Sequence, residues 1–214
     1  MRTKSFTTSR LVLALLLAAA LTGTLFAQSQ NSAPKMPDKN YMLTIDGTAT
    51  MVGKWACGGD AKVDARPAAS AQPVPGLSAG VATVTVTASV PGIECGDNTM
   101  NKHLRKALKM DEYPEIRYQA EKYTLVDNGS AVQTSGELTI AGVTKPIGLG
   151  AKLIALPEGG TRVTGTVEIN MADFGVKPPS LFFGALKVAN IVSVKFDTVV
   201  KLPREMTEAI FPKQ

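Results

Sequence analysis

The sequence predicts an all-β fold of about eight antiparallel strands with one helix inserted near residues 98–110. From Tyr41 onwards, apolar and polar residues alternate along most segments, which is typical of strands that bury one face. Turn-forming residues lie in nearly every gap. Helices do not alternate with the strands, which excludes a parallel α/β sheet. The pattern therefore indicates an antiparallel sandwich or barrel. An eight-stranded barrel would hold one small ligand or be filled by side chains.

The expected strands are separated by recognisable turn and loop residues. A turn at Asp127-Asn128-Gly129 predicts a hairpin between the segments on either side of it. Residues 66–76 are rich in Ala and Pro and are expected to form a loop. The segments with strand alternation, in chain order, are 41–56, 81–88, 115–126, 131–140, 147–155, 163–171 and 192–201.

One segment, residues 98–110, has helical periodicity instead. Asp97 or Asn98 can cap its start, and Pro114 prevents its continuation. Its apolar face consists of Met100, Leu104, Ala107 and Leu108, and its basic face of Lys102, Arg105, Lys106 and Lys109. The apolar face is expected to pack on the sheet. A solvated basic face is the favoured interpretation, and transient contact with an anionic head group or membrane surface is the alternative.

Residues 1–27 are expected to be a secretory signal peptide. A basic start precedes the uncharged apolar run Leu11–Leu21, and Ala27 is a small residue at the expected cleavage point. The run is too short to span a bilayer as a helix, so a membrane anchor is the less favoured alternative. The sequence therefore predicts export to the periplasm or the medium.

The rest of the chain is expected to form a single domain. Residues 28–39 are predicted to be a flexible lead-in, 40–203 the β domain and 204–214 a polar tail. The net charge of +5 derives partly from the leader. Nucleic acid is therefore not a predicted partner, because its recognition needs clustered basic residues on a reading surface.

Cys57 and Cys95 are the two cysteines of the chain. Export would place them where disulfides persist, so a Cys57–Cys95 disulfide is favoured. Two independent buried thiols are the alternative. A metal site is less favoured, because two Cys and the lone His103 do not complete a tetrahedral ligand set.

No residue pattern indicates catalysis. His103 is the single histidine, and a solvated helix position is its favoured interpretation. The adjacent carboxylates Asp111 and Glu112 lie at a helix exit, where solvated groups are more common than catalytic ones. The sequence has no nucleophile elbow, zinc-protease motif or phosphate loop. We therefore predict a protein that is not an enzyme and needs no cofactor or metal.

Two features suggest an apolar interior with space in it. Small residues occur on the apolar faces, and they either leave room inside the sheet or mark bulges and bends. They are Ala120, Gly136, Ala151, Ala155 and Gly165. The connection 172–187 holds Phe174, Leu181, Phe182 and Phe183. They either plug one end of a barrel or line a mouth for an apolar ligand, and the mouth is favoured.

Three ordered motifs resemble the YceI-like family. They are TMNKHLRKALKMDEYPEIRYQ at 99–119, SGELTIAGVTKPIGLGAKL at 135–153, and VTGTVEINMADFGVKPP followed by FGALKVANIVSVKFD within 163–197. The resemblance covers about 41–202. It implies a lipocalin-like antiparallel barrel in the periplasm that holds a long isoprenoid chain, such as a polyprenyl phosphate or a quinone tail, along its axis.

The sequence and this resemblance together predict a non-catalytic carrier of an isoprenoid or similar lipid. The residues expected to line its cavity are Tyr118, Ile147, Leu149, Met171, Phe174, Phe183, Val194 and Phe196. A secreted interaction protein with a filled barrel and an apolar docking loop is the second hypothesis. Under both hypotheses the protein could form a homodimer. A hydrolase or isomerase acting on a bound lipid is the least favoured, for want of a positioned base.

Overall fold

Nine strands form one antiparallel sheet, whose order is β2-β1-β11-β8-β7-β6-β5-β4-β3. The computed structural model describes residues 40–67, 82–181 and 185–201. The predicted signal peptide, the lead-in and the polar tail lie outside these ranges. The strands are β1 Leu43–Ala49, β2 Gly53–Gly59, β3 Ala61–Pro67, β4 Ala82–Ser89, β5 Glu115–Val126, β6 Ala131–Ile140, β7 Val143–Ala155, β8 Thr161–Asn170, β9 Ser180–Leu181, β10 Leu186–Lys187 and β11 Ile191–Val200. The short strands β9 and β10 pair only with each other.

The two ends of the nine-strand order are joined by the chain itself. Only Asp60 separates β2 from β3. The first part of this continuous stretch pairs with β1, and the second part pairs with β4. A sheet whose first and last members are one bent strand must curl into a barrel. Counted in this way the barrel has eight strands, as predicted, and its antiparallel lipocalin-like architecture is confirmed.

The antiparallel order gives the barrel two ends with different connections. We call one the helix end. It holds the α-helix α1 (Asn98–Ala107), the turns at 50–52 and 141–142, and the described parts of the connection between β8 and β11. We call the other the turn end. Its described connections are the short ones at 127–130 and 156–160, and β11 finishes there.

The predicted hairpin is present with the expected bounds, because its turn residues suit the backbone they must adopt. Asp127, Asn128 and Gly129 all have positive φ. Asn, Asp and Gly tolerate this left-handed region best. The same device joins β6 to β7, where Ala141 and Gly142 have φ of 48° and 80°. A two-residue turn of this hand matches the twist of the strands it connects, so β7 begins at Val143, earlier than predicted.

The strand β3 was missed by the sequence analysis. Part of it, Arg66–Pro67, falls in the predicted 66–76 loop, and the rest of that loop lies outside the described residues. Ala61, Val63 and Ala65 alternate with Lys62, Asp64 and Arg66, so the strand had a local signal that the sequence analysis did not use. Its pairing with β4, from Ala61 opposite Ala88 onwards, makes it a strand. Local pattern and long-range pairing therefore agree in this strand.

The helix starts as predicted and ends earlier. The Asp97 carboxylate accepts a hydrogen bond from the Met100 N–H at 2.9 Å, which is an N-cap. The last helical residue is Ala107, because Lys109 adopts a left-handed φ of 52°. Arg105 binds Glu94 at 2.8 Å, which ties the helix to the segment that precedes it.

Side-chain packing is concentrated at the helix end. One cluster joins Cys57, Ile93 and Cys95 to the apolar face of α1. A second cluster, at the same end, consists of Ile140, Ala141, Ile169, Phe174, Val176 and Val192. The Cys57–Cys95 disulfide is present, which confirms that prediction. The solid core therefore lies under the helix and not along the barrel axis.

Candidate functional site

The barrel encloses a cavity of about 800 Å³. Its wall is built from the inward residues of the barrel strands, which alternate with outward residues because side chains on a strand point to opposite faces. On β7, for example, Ile147, Leu149, Ala151 and Leu153 line the cavity, while Gly148, Gly150, Lys152 and Ile154 do not. The volume is in the range of known small-molecule sites, about 300–1,000 Å³. An alternating strand pattern has therefore produced a hollow barrel.

Seven of the eight predicted lining residues lie on the wall of this cavity. They are Tyr118, Ile147, Leu149, Met171, Phe174, Val194 and Phe196. Phe183 lies outside the described residues. Contact between these side chains and a ligand stays a prediction, because position on a wall does not establish binding.

The small residues on the apolar faces have two different roles. Ala120 and Ala151 line the cavity and leave room in it, whereas Ala155 is exposed at the end of β7. Gly165 lies under the Phe196 ring, and an added Cβ there would come within 2.3 Å of that ring. Gly136 lies against the backbone of β5, beside the bulge that follows Ala120. Both alternatives raised by the sequence are therefore correct, at different positions.

The cavity contains one small polar group near its middle. The Tyr118 hydroxyl and the Thr134 hydroxyl are 2.8 Å apart, and Thr134 also donates to the Leu149 carbonyl at 3.4 Å. Tyr123 is the cross-strand partner of Thr134 and lines the same cavity. Burial raises the pKa of Tyr123, because the charged phenolate would be poorly solvated. The neutral hydroxyl is thus kept as a hydrogen-bonding group.

The sequence analysis did not single out Thr134 or Tyr123. Thr134 shares the face of Val132 and Leu138 on β6, and that alternation was a usable signal. Tyr123 could not be assigned in the same way. The bulge between Ala120 and Lys122 shifts the register of β5 and so changes which residues point inward.

The cavity meets solvent at the helix end. Among the described lining residues, those with exposed side chains or backbone are Val52, Lys54, Gly96, Asp97 and Thr99, and all lie there. They form the rim of a mouth between the start of β2 and the start of α1. His103 also lines the cavity and is half-buried, so the expected solvated position is only partly correct.

The described part of the 172–187 connection closes the barrel wall. β7 pairs with β8 only through Lys152–Ala155, so the two strands are unpaired nearer the helix end. Phe174 is 5% exposed and packs beside Val143, Ile147, Val167 and Ile169, which flank this gap. Phe174 therefore lies on the cavity wall, as predicted, and is packed beside this gap; that the segment forms a mouth for a ligand stays a prediction. Phe182 and Phe183 lie outside the described residues.

Two kinds of feature are not found in the described part of the chain. Within 40–67, 82–181 and 185–201, no three His, Cys, Asp or Glu side chains come together as a metal-binding group. The helices of the same ranges include none with the length and apolar character needed to cross a membrane.

The fold and the cavity define the class of protein: an antiparallel, lipocalin-like barrel that encloses an apolar space. The chain belongs to the YceI-like family, since the model of the YceI-like domain matches residues 38–200. This confirms the resemblance seen in the three sequence motifs.

Individual relatives agree with this assignment. The chain is 34% identical over 101 residues to Protein YceI of Escherichia coli O6:H1, covering 44% of this chain and 52% of the relative. It is 32% identical over 101 residues, with the same coverage, to a UPF0312 protein of Pseudomonas aeruginosa LESB58. The chain thus spans about half the length of the curated relatives it matches.

Two solved structures have a similar fold. BcnA of Burkholderia cenocepacia has a TM-score of 0.59 at 16% identity, covering 74% of this chain and 96% of BcnA. A polyisoprenoid binding domain from Saccharophagus degradans, implicated in plant cell wall breakdown, has a TM-score of 0.55 at 12% identity, covering 75% and 93%. At these identities the likeness establishes the fold alone.

Proposed function

We propose that this protein is a non-catalytic carrier that holds an isoprenoid or similar long apolar lipid inside the barrel. The observation that carries the proposal is the cavity of about 800 Å³ with its apolar wall. The similarity in fold to a polyisoprenoid binding domain supports the same ligand class. A filled barrel that acts only through an apolar docking loop is disfavoured, because the interior is hollow.

The cavity can provide enough binding free energy without any charged contact. Each buried CH₂ group contributes about 0.8 kcal/mol, so about ten such groups match the 8.2 kcal/mol of a micromolar complex. A longer chain would offset the cost of ordering the ligand, which is several kcal/mol. We therefore expect micromolar or tighter binding of a lipid with several isoprene units.

The polar groups of the site suggest where a head group would lie. Lys54 on the rim could meet the phosphate of a polyprenyl phosphate. Tyr123 within the barrel could donate to a neutral carbonyl such as that of a quinone. Both ligands fit the proposal, and both occur in membranes that adjoin the periplasm, the compartment that the predicted signal peptide and the disulfide favour.

The direct test is native mass spectrometry of the protein purified from its own cells. We expect a co-purified lipid whose mass increments identify isoprene units, with or without phosphorus. A wild-type protein that is consistently free of lipid, and that takes up neither prenyl phosphate nor quinone when they are supplied, would remove the proposal.

A pair of variants on β7 tests whether the lipid lies in the cavity. Ala151→Phe places a large side chain in the lumen, whereas Ala155→Phe places it at an exposed position of the same strand. We expect Ala151→Phe to lower the lipid content at least tenfold and Ala155→Phe to leave it unchanged. Circular dichroism checks that both fold. Equal lipid content in the two folded variants would contradict a luminal site.

A further inference from the structure

We infer that the helix end of the barrel is a docking surface for an anionic lipid membrane. Three features of the described residues coincide there: exposed apolar side chains, a cationic helix face and the mouth of the cavity. The inference adds to the proposed function and concerns a different surface, so it can fail or stand independently.

Most of the large exposed hydrophobic residues lie at this end. Met51 is 76% exposed and Val52 59%, and together they form the tip of the β1–β2 turn. Ile191 and Tyr113, at 57% and 38%, belong to the same end. At the turn end the corresponding residues are Ile154 and Val199, which flank Arg162 across the sheet. An apolar turn tip beside the cavity mouth suits insertion into the boundary between head groups and acyl chains.

The cationic groups of the helix lie at the same end of the barrel as this apolar tip. Lys102 and Lys106 are exposed on α1, one helical turn apart, and α1 contains no acidic residue. Lys109 is also exposed and lies 5.9 Å from the centre of the Tyr113 ring. Like charges at this spacing repel each other, and a surface of anionic head groups would relieve the repulsion.

The two acidic residues that precede the helix are already hydrogen-bonded. Asp97 caps the helix, and Glu94 is held by Arg105 and by the Asn101 side chain. Asp111 and Glu112 come after the helix has ended. Lys54 on the rim and Lys187, whose backbone bonds to Thr50 of the β1–β2 turn, add to the positive charge of this end, and this is where an anionic partner would fit.

The position of the mouth favours a membrane over a protein partner. Lys54 and Val52 line the rim and are exposed, so a membrane that contacts the turn tip would also face the entrance to the cavity. A lipid with a long apolar chain is itself stored in a membrane, because it is almost insoluble in water. Docking at this end would let the chain pass between bilayer and barrel with little exposure to water.

The experiment measures co-sedimentation of the full protein with phosphatidylglycerol-containing vesicles and with pure phosphatidylcholine vesicles. We expect preferential binding to the anionic vesicles that weakens as salt is added. Met51→Glu, and separately Lys102→Glu with Lys106→Glu, should each lower the partition coefficient about tenfold or more. The first change puts a charge on the apolar tip, and the second replaces the attraction of two cations to the head groups by repulsion.

Matched controls change the same residue types at the turn end. Ile154→Glu, and Lys152→Glu with Lys201→Glu, should leave vesicle binding within about twofold of wild type, because these exposed positions lie away from the helix. Wild-type protein that binds neither vesicle type would overturn the inference and indicate a protein partner for this surface. An equal loss of vesicle binding in the turn-end controls would also overturn it, because binding would then depend on the charge of the whole protein and not on the helix end.

The two proposals give separable results. None of the substituted residues lines the cavity, so all these variants should take up the same amount of prenyl lipid when it is supplied directly in detergent solution, as measured by mass spectrometry. A wild-type protein that contains lipid but does not bind vesicles would disprove the docking surface and leave the carrier function standing. A wild-type protein that takes up no lipid but still binds anionic vesicles would disprove the carrier function and leave the docking surface standing.

Discussion

The helix end and the rest of the barrel are stabilised in different ways. At the helix end, side chains from α1, the disulfide and the 171–176 segment pack against inward residues of the strands. Towards the turn end, the described strands are held by backbone ladders and tight turns around open space. A hollow barrel buries less apolar surface than a filled one. The difference indicates that one solid end provides the burial that lets the remainder stay open.

The largest expected effect compares two phenylalanines that both contact the cavity. Phe174 is 5% exposed within the packed cluster, whereas Phe196 is only half-buried and faces the lumen across Gly165. We expect Phe174→Ala to lower the free energy of unfolding by about 3–5 kcal/mol. Phe196→Ala should cost less than half of that, because its neighbours include empty space. Urea denaturation measures both. Equal losses would mean that the two regions are packed alike.

The next effect concerns the disulfide at the helix end. The bridge closes a loop between positions 38 residues apart. Replacing Cys57 and Cys95 by Ser should lower the free energy of unfolding by about 3–4 kcal/mol on the chain-entropy model. Reduction of the wild-type protein should reproduce the loss in urea titrations, and the double variant should then be insensitive to reductant. A variant as stable as wild type would show that the packed end does not depend on the covalent link.

The smallest effect concerns an ion pair near the turn end. Arg162 on β8 donates to Asp197 on β11 at 2.8 Å, and this hydrogen bond lowers the pKa of Asp197. A lowered folded-state pKa contributes stability above the usual aspartate pKa of about 3.9, and this contribution is lost as the pH falls through the lowered value. The pair is exposed, so the contribution is small.

The check is the difference in Tm between wild type and Asp197→Asn as a function of pH. A small difference should be present at about pH 7 and should shrink towards zero below about pH 3. Arg162→Gln removes the partner and should abolish this pH dependence. A difference that instead grows in acid would mean that Asp197 is stabilised by something other than Arg162.

The residues of the candidate site were predictable to different degrees. Positions on regular strands, such as Leu149 and Val194, followed from alternation alone. Tyr123 did not, because the bulge after Ala120 alters the register within its own strand. Phe174 lies on the cavity wall as predicted, but its packing beside the gap between β7 and β8 did not follow from the sequence. Its apolar character was evident, but whether it lines or closes an opening depends on where β7 and β8 stop pairing.

The sequence by itself determined the local elements: the hairpin of β5 and β6, the capped helix and the apolar face of most strands. Each depends on neighbouring residues through turn geometry, capping or alternation, so a short window contains the necessary information. Only the tertiary structure decided that β2 continues into β3 to close the barrel, and that the centre is hollow while the helix end is packed. These features depend on pairings between distant segments and on the volumes of side chains that meet only after folding.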